Sequence, residues 1–118
     1  MTKKRERLWV MIAGPYGSGA ATEADRARNL EVMNKAALEV FEKGHVPIIG
    51  VNLALPVIEA AGADRYDEIM MPLSLALSER CDAIVRIGGP SEGADAEVHC
   101  VKARGGRVYF QVSDLPEA

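Results

Sequence analysis

Cysteine is scarce in this chain: Cys81 and Cys100 are the two in 118 residues. Thiols so placed make neither a disulfide framework nor a metal-ligand spacing, and they read as free thiols in a reducing cytoplasm. An excess of positive charge is also missing. The 14 Lys and Arg stand against 17 Asp and Glu, for a net charge of −3. That balance excludes a general electrostatic pull toward a nucleic acid polymer. Long hydrophobic runs are absent too. The basic opening Lys3-Lys4-Arg5 is followed by a short apolar run, Leu8 to Ala13, too brief for a membrane span or a signal-peptide core. His45 and His99 stand alone, without metal-like partners, so no metal or organic cofactor is implied. No repeat, low-complexity tract or linker divides the chain, and residues 1–118 are expected to form a single cytoplasmic domain.

What the sequence does have is alternation of strand-like and helix-like runs. Leu8 to Ala13 reads as a buried first strand ending in Gly14-Pro15. Glu23 to Lys43 carries Ala27, Leu30, Met33, Ala37, Leu38 and Phe41 mostly three or four apart, the apolar face of a long helix. Thr22 with Asp25 would cap its start, and Gly44 would stop it. Val46-Pro47-Ile48-Ile49 reads as a second strand, near an edge because of its proline. A loop and short helix are expected over Asn52 to Ala61, then a helix from Tyr66 to Arg80 that Pro72 delays or kinks. Strand 82–87, helix 92–104 and strand 107–110 follow, and Ser113 to Pro116 reads as a polar tail. Such alternation implies right-handed crossovers and an α/β fold: a three-layer α/β/α sandwich on a parallel, flavodoxin/Rossmann-like sheet of about 4–5 strands.

In such sheets ligands bind at the carboxyl ends of the strands, where strand order reverses. Two glycine-rich turns fall at that edge. Gly14-Pro15-Tyr16-Gly17-Ser18-Gly19 is not a phosphate loop of the NTPase kind, because Ala20-Ala21 stand where Lys and Ser/Thr are needed. Its glycines do not fit the dinucleotide pattern either. ATP and NAD are disfavoured, and what remains is a loop in which Tyr16 offers a ring for a base and Ser18 a hydroxyl for a phosphate. The second turn, Gly88-Gly89-Pro90-Ser91-Glu92-Gly93-Ala94-Asp95-Ala96-Glu97, leads from a strand into a helix. Backbone amides at a positive helix end suit an anion, with Ser91, Gly93 and Ala94 as the cradle. Glu97 lies one to two turns further in, where a carboxylate is placed to attack an anomeric carbon. Asn52, after the second strand, is a candidate for a sugar hydroxyl. Asp82 is expected at the opposite edge, in a turn or capping role. The helix Ile69 to Leu77 is apolar nearly all round, which favours burial in a subunit interface as well as the core and hints at a homo-oligomer.

Assembled, these residues resemble the nucleoside 2-deoxyribosyltransferase-like superfamily of small flavodoxin-like proteins. The resemblance runs from Ile12-Ala13-Gly14-Pro15-Tyr16 through Arg80 to Val85 and on to Ser91 to Glu97. In the branch that hydrolyses deoxynucleoside monophosphates, a serine six residues before the catalytic glutamate contacts the 5′-phosphate, and Ser91 and Glu97 have that spacing. The transferases acting on unphosphorylated nucleosides usually have an aspartate at the serine position. The resemblance therefore implies cleavage of the N-glycosidic bond of a nucleoside 5′-monophosphate, with Glu97 as nucleophile, Tyr16 near the base and sites close to a subunit interface. The chain departs from the transferases in the region of their acid. Met70-Met71-Pro72-Leu73-Ser74 has no carboxylate, and Asp67 and Glu79 are the nearest acids. Other readings stay open: a nucleotide-binding or sensing module that does no chemistry, a structural subunit docking through its Met-rich helix, and an enzyme similar to the phosphoribohydrolases once called lysine decarboxylase-like.

Overall fold

The computed structural model describes residues 6–118, so the basic triplet Lys3-Lys4-Arg5 lies outside the described residues. Four strands, β1 (Trp9–Ala13), β2 (Val46–Ile48), β3 (Ala83–Arg86) and β4 (Arg107–Tyr109), form one all-parallel sheet in the order β2-β1-β3-β4. Four helices connect them: α1 (Glu23–Glu42), α2 (Gly50–Ala61), α3 (Tyr66–Ser78) and α4 (Glu92–Ala103). The fold is α/β, with helices on both faces of the sheet.

Alternate residues of the central strands enter two separate cores, as the two-residue period of a strand requires. Val10, Ile12, Ala83 and Val85 face Met33, Ala36 and Val40 of α1. Met11, Ala13 and Ile84 face Ala94 and Val101 of α4, with Leu77 of α3 alongside. Both faces being covered explains why β1 and β3 are continuous apolar runs. β2 is at the edge, where Pro47 is tolerated. A third cluster, Ala54, Ile58 and Met70, joins α2 to α3.

The start of α1 is a capping box: the Thr22 hydroxyl accepts from the Asp25 amide and the Asp25 carboxylate accepts from the Thr22 amide. Its buried stripe is Met33, Ala36 and Val40, whereas Leu38 and Phe41 are exposed at 57% and 65%. Of the expected face, Met33 is buried and Leu30 and Ala37 pack against the core, so the helix is rotated by roughly one residue from the expectation. Periodicity alone could not choose between Val40 and Phe41, since both extend an apolar row. α2 begins at Gly50 rather than as a loop, because Gly50 packs directly on Ser74 of α3. α3 begins at Tyr66 and runs through Pro72 without delay. Pro56 and Pro72 are both exposed, as are Asn52 and Glu68, whose carbonyls the prolines leave without an amide partner. On α3 the inward residues are Met70, Ser74 and Ser78, Ala76 is exposed, and Ile69, Met71, Leu73, Leu75 and Leu77 are half-buried. The large exposed apolar residues of the described chain lie elsewhere: Val32, Leu38 and Phe41 on α1, Leu53 and Val57 on α2, and Trp9 and Phe110.

The final segment is not a polar tail. A 3-10 turn at Val112–Asp114 lays Val112 and Leu115 into the α1 core, with Leu115 only 1% exposed. His45 ties it down. Its Nδ1 accepts from the Leu8 amide at 3.0 Å, and its Nε2 donates to the Pro116 carbonyl at 2.6 Å. Lys43 donates from Nζ to the Leu115 carbonyl, and the Ala118 amide donates to the Lys43 carbonyl. No helix among the described residues is long and apolar enough to cross a membrane.

Candidate functional site

The chain moves from β1 to one side for β2 and to the other for β3, so the strand order reverses between β1 and β3. The loops that leave these two strands lie side by side there. The Ile87 amide donates to the Ala13 carbonyl at 2.9 Å, and a Cβ on Gly14 would stand 3.0 Å from the Ile87 carbonyl oxygen. Gly88 turns the second loop at φ 78°, a left-handed conformation that also lets Pro15 approach its Cα. Between the loops and α3 opens a cavity of about 260 Å³.

Gly14, Tyr16, Ser18, Ser91, Gly93, Ala94 and Glu97 all line it, as their positions in the sequence suggest. Two expected residues do not. Pro15 turns to the other side of its loop, toward Asn29, Val32 and Met33 of α1. Asn52 sits on the exposed face of α2, where its amide donates to Asn34 of α1 at 2.8 Å. Folding the segment after β2 into helix immediately at Gly50 carries Asn52 away from the strand end. Asp82 is at the opposite edge, where its carboxylate accepts from the Trp9 amide at 2.8 Å.

The wall facing the two loops comes from α2 and α3: Val51, Tyr66, Met70, Met71 and Ser74. In the sequence Met70, Met71 and Ser74 stand out only as part of the segment without a carboxylate, and Val51 and Tyr66 carry no expected site role. Their one local signal is Tyr66, the single aromatic residue of α3, standing at its first position. Burial, with the Tyr16 phenol nearby, raises the Tyr66 hydroxyl above its ordinary range, so it stays protonated at neutral pH. Tyr16 is held in place by its carbonyl, which accepts from Asn29 at 2.8 Å.

Ser91 is the N-cap of α4. Its hydroxyl oxygen accepts from the Ala94 amide at 3.2 Å, and the Asp95 amide donates to its carbonyl. The Ala94 amide is therefore spent on the cap and is not a free anion donor, contrary to expectation. The amides of Glu92 and Gly93 have no protein partner among the described residues. With the helix dipole behind them, these two amides and the Ser91 hydroxyl give this end of the cavity a positive potential and free donors, which suit an anion. No Lys or Arg among the described residues lines it, and Glu92 stands at the same end.

Glu97 lies one turn further along α4, 8% exposed, and its carboxyl has no hydrogen-bond partner among the described residues. Burial pushes its pKa up to about 7, against an opposing pull from Arg86. A half-ionised carboxyl at neutral pH, facing a cavity, is suited to nucleophilic or acid–base work. The thiol of Cys81 is different: burial raises it to about 11, which makes it an inert core residue. Among the described residues no cluster of His, Cys, Asp and Glu could hold a metal ion. No family model matches the chain, and no curated protein is similar enough to be matched to it.

Proposed function

We propose that this protein is an N-glycosidase, of the nucleoside 2-deoxyribosyltransferase-like kind, acting on a nucleoside 5′-monophosphate. The observation that carries the reading is the Glu97 carboxyl, buried beside a cavity whose far end offers two free helix amides and the Ser91 hydroxyl. In this reading the phosphate rests at the α4 N-terminus, and the base lies against Tyr16, Tyr66, Met70 and Met71. The Glu97 carboxylate attacks the anomeric carbon as the glycosidic bond breaks, and the bond electrons leave with the base. The departing base takes its proton from a donor on the Tyr66 side or from water. Water then opens the glutamyl ester to give the sugar phosphate, or a second base does so in transfer.

The experiment is incubation with a panel of ribo- and deoxynucleoside 5′-monophosphates, following free base by chromatography, with Glu97→Gln in parallel. Base release that disappears in Glu97→Gln supports the assignment. No release from any substrate, or equal release by both proteins, rejects it. A second reading has its own support: the wall residues Met70, Met71 and Ser74 bring no carboxylate to the leaving-group side. Saturable nucleotide binding without base release makes the protein a nucleotide-sensing module of the same fold.

We place the protein in the cytoplasm, where its unpaired thiols Cys81 and Cys100 would persist, and propose a homo-oligomer joined through the exposed apolar residues of α1 and α2.

A further inference from the structure

The most heavily engaged side chain near the cavity is one the proposed chemistry does not use. Arg86 closes β3, and its side chain is 11% exposed. Its Nε donates to the Asp95 carboxylate at 3.1 Å, its Nη2 to the Gly89 carbonyl at 2.8 Å, and its Nη1 to the Ile87 carbonyl. One guanidinium thus joins the strand end, the glycine turn and the first turn of α4. A turn that passes through Gly88 at φ 78° has little of its own to hold it, and the carbonyls on either side of that glycine are gathered by one rigid fork of donors. That turn delivers Ser91, whose cap starts the helix carrying Glu97.

We propose that Arg86 is the positioning residue of this site: it locks the Ile87–Pro90 turn so that the Ser91 cradle and the Glu97 carboxyl face one cavity. The inference rests on the reading of Glu97 as the reacting group. The positive charge of Arg86 also favours the ionised form of Glu97, and the other groups around that carboxyl do not replace it. Tyr16 comes from the loop after β1, Tyr66 from α3, Glu92 from the start of α4 and Cys81 from the turn before β3. None of these is a cation, and Arg86 is the group that works against burial at Glu97. Lysine in its place would keep the charge without the fork, so the two roles are separable.

The test uses Arg86→Met and Arg86→Lys beside the wild type, with two readouts that need no turnover. One is the titration midpoint of the Glu97 carboxyl by NMR. The other is hydrogen exchange at the Ala94 and Asp95 amides, which report whether the Ser91 cap is held. In Arg86→Met the midpoint moves upward from about 7 and both amides exchange about tenfold faster. Arg86→Lys keeps the midpoint near the wild-type value while the amides still exchange faster, and it stands in for the methionine variant if that one does not fold. A folded Arg86→Met or Arg86→Lys whose midpoint and exchange both match the wild type overturns the proposal.

Both readouts stand apart from the glycosidase reading. If the wild type releases no base, that reading fails while the positioning role is still decided by titration and exchange. If the wild type releases base and a folded Arg86→Met does so at the same rate and with the same pH profile, Glu97 stands and the role of Arg86 falls.

Discussion

The Ser18 hydroxyl donates to the Ser91 hydroxyl oxygen across 3.4 Å, joining the loop after β1 to the cap of α4 over a separation of 73 residues. Ser91 Oγ accepts a second bond from the Ala94 amide. A hydroxyl that accepts twice has its own hydrogen left to donate, and here it has the cavity to donate into. Ser91→Ala is expected to cost about 1 kcal/mol of stability through loss of the cap. It should also weaken binding of a nucleoside monophosphate more than of the matching nucleoside, measured by calorimetry. Equal weakening of both ligands would count against a phosphate at this end. Ser18→Ala leaves the cap in place and is expected to have the smaller effect on stability.

Glu97 sets a pH dependence in opposite directions for activity and stability. Attack requires the carboxylate, so base release should rise with pH through about 7. Stability runs the other way. The folded-state value lies above the ordinary 4.5, so the native state holds this proton more tightly than the unfolded chain does. The contribution is complete below 4.5 and is lost as pH rises through about 7. The loss amounts to roughly 3 kcal/mol. Denaturant unfolding at pH 4.5, 6 and 8 should show this slope in the wild type and lose most of it in Glu97→Gln. An unchanged slope in the variant would place the proton elsewhere.

Glu92 is a carboxylate beside the two free amides at the α4 end of the cavity, where the proposed phosphate would rest. Removing its charge in Glu92→Gln should tighten nucleoside monophosphate binding about fivefold, an effect on the order of 1 kcal/mol. The gain should shrink as salt is raised, since the residue is exposed and screened. No gain, at low salt, would mean the phosphate lies away from the α4 N-terminus.

Leu115 is nearly fully buried against α1 although it is close to the last residue. Leu115→Ala is expected to destabilise the fold by about 2–5 kcal/mol, as for other buried leucines. A chemical-denaturation midpoint within error of the wild type would show that the segment does not dock in solution.

Much of this molecule is local and therefore readable in sequence. The runs ending at Ala13 and Arg86 are apolar because both of their faces are covered, and the Thr22–Asp25 and Ser91–Ala94 caps need only neighbouring residues. The glycine turns at Gly14 and Gly88 mark strand ends whatever the rest of the chain does. For the same reason Glu97 and Ser91 were identifiable together: one helix sets their spacing.

The parts that escaped depend on contacts between segments far apart in the chain. Asn52 follows a strand, and only the packing of Gly50 against Ser74 shows that helix starts at once and takes it to Asn34. Leu115 looks like part of a polar tail until His45 and Lys43 are seen holding the carbonyls around it. The cavity wall of Tyr66, Met70 and Met71 exists because the crossover to β3 brings α3 over the strand ends. Sequence determined the strands, the caps, the two turns and the carboxylate, all products of short-range backbone and side-chain preferences. Tertiary structure decided which turn residues face the cavity, what forms its far wall, and how far burial raises Glu97, because desolvation depends on every segment that excludes water from it.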